Sequence, residues 1–457
     1  MELTKREIEM GTGKTVPLLF KFGIPTMLGM IINALYNLVD TYFIGSFGMV
    51  PTAAVSLVFP LTLIVTGLGT CIGNGTGSKV SRLLGDKQHR QASEFTSTAL
   101  VGAAVCGLVL SAGLLLGLHP ILTALGADGD TLPYAVQYGT IIIAGFVFSV
   151  FNITVNNIIV SEGATVFTSG VLVLGAVMNM VLDPLFIYAF HTGVEGVAYA
   201  TVISSAASSL VYVLYFVHGK GLLKFSSEYV KPSGYFFANI LKIGIPMLIF
   251  QLLNMATLTV TNALAVEYGN PSVAAFGITY KLFCLELNAV FGFLKGYQPL
   301  AGYNYGAKDY DRVARFTREG IFITTIFCVV CNVLLMIFAP QAILLFNQDS
   351  AEVLAFGTLT LRVQAVGYMT LAFQFVGASY FLATGDAKNG GVLSLCRGVL
   401  FLIFALLLNG VMGRRGLLAA FPVTELVASG ITAVLLLKAV LLLKYEKQSK
   451  VPAAATM

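Results

Sequence analysis

The most informative part of the sequence is the apolar run FKFGIPTMLGMIINALYNLVDTYFIG, which covers residues 20–45. A helix of about 20 apolar residues crosses the hydrocarbon core of a bilayer, so this run predicts a membrane-spanning helix. Its Gly23-Ile24-Pro25 motif recurs 221 residues later (244 − 23) as Gly244-Ile245-Pro246. The sequence therefore predicts two homologous halves, with a chance match between unrelated bundles as the alternative. Three further pairs share this spacing to within one residue: Asn33 and Asn254, Gly85 and Gly306, and Gly163 and Gly385.

The composition of the whole chain agrees with a membrane protein. Of its 457 residues, 57% are hydrophobic and 11% are charged, whereas an ordinary soluble domain carries about 25% charged residues. Lipid offers the backbone no hydrogen-bond partners, and the apolar runs are too long for transmembrane strands, so we expect an all-α integral membrane fold. We place twelve spans near residues 16–44, 52–77, 92–117, 131–158, 164–190, 195–217, 237–264, 272–297, 316–339, 352–380, 388–411 and 417–443.

Charged residues between the spans predict the orientation of the chain, because cytoplasmic loops carry an excess of Lys and Arg. One side of the membrane receives Lys79, Arg82, Lys87, Arg90, Lys220, Lys224, Lys231, Lys308, Arg312, Arg315, Arg318, Lys444, Lys447 and Lys450. The other side receives Asp128, Asp130, Glu195, Glu267, Asp349 and Glu352, with Arg414 and Arg415 as basic exceptions. Both termini are therefore predicted to be cytoplasmic, and we expect no cleaved signal peptide.

The repeat predicts two pseudo-symmetric lobes of six helices around a central cleft. We place the N-lobe at residues 1–217, a polar cytoplasmic linker at 218–236 and the C-lobe at 237–457. Both lobes have the same orientation because each contains an even number of spans. Paired bundles of this kind are a transporter architecture, in which one bundle rocks against the other to give alternating access.

Polar residues in the first span form a stripe on one helix face. An ionisable side chain inside a span is a functional candidate, because lipid disfavours charge. The fourth span adds Asn152, Asn156 and Asn157, for which simple packing between helices is an alternative. The stripe itself follows the i, i+3, i+4, i+7 spacing and consists of Asn33, Tyr36, Asn37 and Asp40.

The fifth span carries a second carboxylate. Asn179 and Asp183 lie on one face at i and i+4, and Pro184 follows directly. A proline inside a helix leaves the carbonyl four residues earlier, here Met180, without its usual donor. We hypothesise that Asp40 and Asp183 load a proton or Na⁺ together. Loading is expected to change the geometry of the first helix near its glycine and proline residues and to weaken substrate binding.

The second half lacks a counterpart of this pair. At the repeat spacing, Thr261 stands in the place of Asp40 (40 + 221). Each charged residue in the spans of this half either lines the cleft or extends toward a membrane interface, and the second is favoured for Lys295. The charged residues considered are Lys281, Glu286, Lys295 and Arg362.

Other classes of protein have little support. The six cysteines lie in apolar runs, and we expect small core residues rather than a redox pair at Cys328 and Cys331. A net charge of +5 does not indicate nucleic-acid binding, and four histidines are too few to suggest a His-built metal centre. No nucleophile–base set is recognisable, so we expect no enzyme and no cofactor apart from a coupling ion.

Four stretches resemble the multidrug and toxic compound extrusion (MATE) family of transporters. They are Tyr36–Gly45, Glu162-Gly163, Asn179–Ile187 and Gln298–Lys308. The resemblance covers essentially the whole chain. It implies twelve helices in two six-helix lobes around a central cleft, and export of amphipathic, often cationic compounds in exchange for H⁺ or Na⁺.

The resemblance also implies roles for residues of the N-lobe. Members with an acidic N-lobe site bind the coupling cation there, and the matching positions are Asp40, Asn179, Asp183 and Thr201, with Na⁺ as one candidate ion. Other branches of the family use a carboxylate in the seventh span. Asn254 takes its place here, so no C-lobe sodium site is expected. The resemblance places Tyr36, Tyr138, Asn156 and Asn157 around the same pocket. The polar stripe and the charges within the spans add Asn33, Asn37 and Glu286 as candidates for the surroundings of the cation site or the substrate pocket.

Two functions stay open on the sequence alone. The first is a cation-coupled antiporter that exports organic cations or drugs. The second is a flippase for a lipid-linked precursor, which would need basic residues in its cavity, and Lys281, Lys295 and Arg362 are the candidates. Either protein would be a multi-pass monomer of the bacterial inner membrane, with the lipid bilayer and a small molecule as partners and no nucleic acid.

Overall fold

The computed structural model describes residues 5–219, 221–347 and 350–449. Lys220, Asp349 and Lys450 lie outside these residues, as do the side chains of Lys444 and Lys447. The described residues are almost entirely helical and form no β-strand, which confirms the all-α prediction.

The described residues of the first half form nine α-helices, of which the first is short and precedes the membrane spans. α8 ends at Pro184 and continues as a π-helical turn, Leu185–Ala189. The helices are α1 (Lys5–Thr12), α2 (Thr15–Gly45), α3 (Met49–Gly85), α4 (His89–Leu116), α5 (Leu118–Ala124), α6 (Leu132–Ala144), α7 (Phe146–Ser161), α8 (Thr165–Pro184) and α9 (Val194–Val217).

The second half repeats this order without the short first helix. A 3₁₀ turn, Ser227–Tyr229, lies in the connection between the halves. The helices are α10 (Gly234–Val266), α11 (Asn270–Gly306), α12 (Tyr310–Ile337), α13 (Ala339–Leu344), α14 (Ala351–Tyr368), α15 (Leu371–Thr384), α16 (Ala387–Met412) and α17 (Arg414–Ser449).

Ten of the described helices are long and apolar enough to cross a membrane, and two bent pairs bring the number of spans to twelve. The bends are 44° between α6 and α7 and 42° between α14 and α15, so the predicted spans 131–158 and 352–380 are each two helices. The predicted ends at residues 77 and 297 were wrong, because α3 continues to Gly85 and α11 to Gly306. The apolar criterion ended these two spans at the first polar residues, Ser78 and Gln298, whereas both helices continue past them into the polar region.

The repeat extends to the backbone. α3 and α11 each contain 37 residues, and α4 and α12 each contain 28. Residues with a positive φ angle occur at matching places in the two halves. A residue other than glycine adopts a positive φ only under constraint. The matching pairs are Gly48 and Gly269, Lys87 and Lys308, and Gly163 and Gly385.

The two halves meet mainly through α2 against α11 and α3 against both α10 and α11. A Cβ atom on Gly85 would overlap the Tyr303 carbonyl, and one on Gly306 would overlap the Arg82 carbonyl. Tyr303 is the repeat equivalent of Arg82 (82 + 221), and Gly306 is that of Gly85 (85 + 221). These contacts are therefore one contact made twice, as expected around a pseudo-two-fold axis.

We call the N-terminal face the end of the bundle that holds α1 and the turns at residues 86–88 and 307–309. Here α1 contacts both halves. Arg312 donates to the carbonyls of Met10 and Gly13 at 3.1 and 2.9 Å. Arg6 of α1 lies 3.7 Å from Glu162 of the first half.

The connection between the halves is also bound at this face. The Lys231 side chain pairs with Glu94 at 2.6 Å, and its backbone N–H donates to Thr98 at 3.0 Å. The N–H groups of Leu222 and Leu223 donate to Glu162 at 2.7 and 3.0 Å. The connection is thus docked on α4 and the end of α7, within the first half.

Candidate functional site

Asn179, Asp183 and Thr201 come together between α8 and α9. Asp183 is fully buried and Asn179 is 2% exposed. In one orientation the Asn179 amide donates to the Thr201 hydroxyl at 3.2 Å. With the Asn179 amide group rotated by 180°, its nitrogen donates to Asp183 Oδ2 at 3.2 Å and its oxygen accepts from Thr201. In this orientation the amide bridges Asp183 and Thr201. The bridge lies beside Pro184, where the helix changes to a π-helical turn, a distortion frequent at functional sites.

Asp40 faces this group from α2. Asp40 and Asp183 interact electrostatically. Tyr36, one turn before Asp40, and Tyr138 of α6 interact electrostatically with both carboxylates. The structure thus brings Tyr36, Asp40, Tyr138 and Asp183, from α2, α6 and α8, into one polar cluster in the first half.

The two carboxylates have unsatisfied oxygen atoms. Asp40 Oδ1 and Asp183 Oδ1 are both buried and without a hydrogen-bond partner. Among the ion pairs that described residues form, none includes either aspartate. Buried carboxylates are ordinarily paired or hydrogen-bonded, so these atoms are available to a proton or to a small cation with oxygen ligands.

The asparagines of α7 lie elsewhere. Asn156 donates to Tyr212 of α9 at 3.0 Å and accepts from Lys295 of α11 at 3.1 Å, which is a contact between the halves. Asn157 donates to the Ile153 carbonyl of its own helix at 2.8 Å. Asn152 bonds Ser205 and Ser209 of α9, so it serves the packing role that was the alternative.

Asn33 and Asn37 lie on α2 in the same stripe as Asp40. Asn37 is exposed and donates to the Asn33 carbonyl at 2.7 Å, and Asn33 Oδ1 is buried without a partner. Glu286 lies in the other half, where it accepts from Asn332 of α12 at 2.7 Å. The structure does not bring Glu286 into contact with the aspartates through any bond between described residues.

The basic residues considered for a flippase do not share one cavity. Lys281 and Arg362 are exposed, and Arg362 donates to the Met336 carbonyl at 3.1 Å. Lys295 lines a small cavity between the halves. This arrangement offers no shared basic site for a pyrophosphate group.

Sequence reasoning missed a buried ion pair in the second half. Arg397 of α16 donates to Glu425 of α17 at 2.7 Å, and the Glu425 side chain is 2% exposed. Gln374 of α15 also donates to Glu425, at 2.8 Å, and Arg397 contacts Tyr368 of α14 at 3.4 Å. Both charges lie in predicted spans, so the criterion applied to Asp40 could have found them.

The sequence is similar to a known family and to characterised relatives along most of its length. The MatE family model matches residues 25–185 and 245–407, so it matches the chain twice, at starts 220 residues apart (245 − 25). The multidrug export protein MepA of Staphylococcus saprophyticus is 27% identical over 411 residues, 89% of this chain and 90% of that protein. MepA of Staphylococcus aureus strain MRSA252 is 26% identical over 405 residues, 88% of this chain and 89% of that protein.

Solved structures of similar proteins cover nearly the whole chain. One is the outward-facing conformation of a multidrug resistance MATE family transporter of the MOP superfamily, with a TM-score of 0.92, 26% identity, and coverage of 97% of this chain and 100% of that chain. Another is a MOP superfamily transporter from Pyrococcus furiosus, with a TM-score of 0.91, 25% identity and the same coverage. The chain therefore belongs to the MatE family, whose members are membrane transporters and not enzymes.

Proposed function

We propose that this protein is a multidrug efflux transporter that couples export of amphipathic, often cationic compounds to entry of H⁺ or Na⁺. Export of drugs is supported by the relatives named multidrug export proteins, which match along most of their length. The observation that carries the coupling is the aspartate pair, since Asp40 and Asp183 each hold a buried oxygen without a partner.

The chemistry of the pair suits ion exchange. Two buried carboxylates that are close together repel each other, and a bound proton or small cation removes this repulsion. Asn179 and Thr201 offer further oxygen atoms beside Asp183, as Na⁺ would require. Asp40 is on α2, which packs on α11 of the other half. Binding of the ion at Asp40 can therefore alter the contact between the halves through α2.

We further propose that residues 1–217 and 237–457 move as two lobes, joined by the linker 218–236. In this structure glycine contacts close the N-terminal face. Tyr42 and Met49, near the opposite end of α2 and at the start of α3, are 75% and 88% exposed. This pattern fits a cleft that opens away from the N-terminal face, and the basic residues of that face support a cytoplasmic location for it.

The test is transport in liposomes. Protein reconstituted in vesicles should move ethidium under an imposed proton gradient, or under a sodium gradient, and the effective gradient identifies the ion. Asp40→Asn should lower gradient-driven transport at least about tenfold, as loss of a charge that acts directly would. The control is Asp130→Asn, because Asp130 is an exposed carboxylate in the loop before α6.

The outcomes separate the parts of the proposal. Gradient-driven transport that is lost in Asp40→Asn and kept in Asp130→Asn supports N-lobe coupling. Wild-type transport that Asp40→Asn retains in full would remove the coupling role from this site. Absence of ethidium transport under both gradients, repeated with several chemically distinct organic cations, would contradict drug export.

A further inference from the structure

A small cavity with both polar and apolar lining residues lies at the contact between the halves, near the N-terminal face. Its volume is about 20 Å³, which is room for one water-sized occupant. α3 and α7 form one wall, and α11 and α15 form the other. The polar side chains that line it include Asn74, Ser78, Asn157, Ser161, Lys295 and Gln298.

The cavity has one cationic side chain and no carboxylate. Lys295 is partly buried, and its ammonium donates to Asn156 at 3.1 Å. An ammonium has three N–H donors, so this contact accounts for one of them. Within the described part of the chain, no Asp or Glu forms an ion pair with Lys295.

The remaining lining groups add donors rather than negative charge. Asn157 uses one amide N–H on the Ile153 carbonyl and keeps a second, and Asn74 and Gln298 each bring an amide. The hydroxyl groups of Ser78 and Ser161 already donate to carbonyls, so they contribute less.

A second positive charge lies next to the cavity. The Arg82 guanidinium donates to Ser78 Oγ at 3.0 Å and to the Ala383 carbonyl at 3.2 Å. Neither of these acceptors carries a charge. The charged side chains at the cavity, Lys295 and Arg82, are thus both cationic, and an anion beside them would be stabilised by their charge.

We propose that this cavity binds one monatomic anion, for which chloride is the cellular candidate, against the ammonium of Lys295. A space with room for one water-sized occupant suits a monatomic anion better than phosphate or a carboxylate, which carry several heavy atoms. Because the walls belong to both halves, a bound chloride would stabilise the closed N-terminal face and would leave when the halves separate. This role goes beyond the proposed exchange of cation and drug, since neither step needs an anion.

The experiment measures the thermal stability of the full-length protein in detergent at constant sodium and constant ionic strength. Chloride is titrated against gluconate, and bromide and sulfate are used in parallel series. The wild type should show a saturable rise in unfolding temperature with chloride and bromide. Sulfate should give no saturable rise, because its exclusion from the protein surface stabilises the fold without a binding site. Lys295→Met should lose this rise. Lys281→Met is the matched control, because Lys281 is an exposed lysine of the same helix and should behave as wild type.

Three results would overturn the proposal. They are an unfolding temperature that does not depend on chloride, an equal effect of sulfate, and an undiminished chloride effect in Lys295→Met. If Lys295→Met does not fold, crystals of the wild type grown in bromide decide the question. An anomalous peak within hydrogen-bonding distance of Lys295 Nζ supports the site, and no peak there refutes it. Neither measurement depends on transport, so failure here leaves the proposed function standing.

Discussion

At the residue scale, the C-lobe contains a buried charge pair that helps to hold four helices. Arg397 and Glu425 join α16 to α17, while Gln374 and Tyr368 connect them to α15 and α14. The Arg397 guanidinium also lies 5.8 Å from the centre of the Tyr368 ring. Removing one member of a buried pair leaves the other charge without compensation, whereas replacing both by apolar groups of similar volume is often neutral.

We therefore expect Arg397→Met to destabilise the protein by about 3–5 kcal/mol, and the double variant Arg397→Met with Glu425→Leu to recover most of that loss. Thermal unfolding of the purified variants measures both effects. Arg415→Met serves as the control, because Arg415 is exposed on α17. A single variant as stable as the wild type would show that the pair is not a structural link.

The sequence allowed some residues to be predicted and not others. Asp183 and Asn179 were predicted together because a spacing of four residues puts them on one helix face, and the structure places their side chains 3.2 Å apart. The bond between Lys295 and Asn156 could not be predicted, since it joins residues 139 apart in sequence that meet only when the halves pack.

At the scale of elements, the glycines at the ends of α3 and α11 allow the halves to approach backbone to backbone. Side chains can move to accept a new methyl group, but a carbonyl fixed in a helix cannot. Gly85 and Gly306 both face such carbonyls. A substitution that adds a methyl group to a well-packed core lowers the free energy of unfolding by about 1–3 kcal/mol.

Gly85→Ala should therefore lower stability by about that amount and force the halves apart at the N-terminal face. Differential scanning fluorimetry tests the first effect. Gly113→Ala is the control, because a Cβ there meets nothing within 4 Å. Equal unfolding temperatures for Gly85→Ala and Gly113→Ala would contradict the close approach.

The bends inside two spans could not be predicted from the hydrophobicity of the sequence. Hydrophobicity alone marks 131–158 and 352–380 as continuous runs, yet each is broken, at Gly145 and at residues 369–370. Gly145 packs against Val202 of α9, which leaves no space for a side chain. The first break thus lies where a close contact with α9 requires a glycine.

At the scale of the whole molecule, the basic residues gather at one face of the bundle. Lys87, Arg90, Lys231 and Arg315 lie on or near the connections of the N-terminal face, whereas Asp128 and Asp130 lie in the loop at the opposite end. Charge asymmetry of this kind orients multi-pass proteins during insertion. The number of spans and their order followed from the sequence because each apolar run is long.

Reporter fusions test the orientation. Alkaline phosphatase, which is active only outside the cytoplasm, should be inactive when fused after Lys308 or after residue 457 and active when fused after Gly129. The positive-inside rule gives the sign of each result. Phosphatase activity at Lys308 together with inactivity at Gly129 would place the termini on the outside.

The contact of α2 with α11, through which the halves meet, has an optical consequence. Phe20 of α2 and Phe293 of α11 face each other across the N-terminal contact, with ring centres 6.2 Å apart. The chain contains no tryptophan. An indole introduced in place of the partly exposed Phe20 would be the sole near-ultraviolet emitter of its kind in the protein. The colour of its fluorescence would then report, in real time and without any label, when this ring exchanges its aromatic neighbour for water.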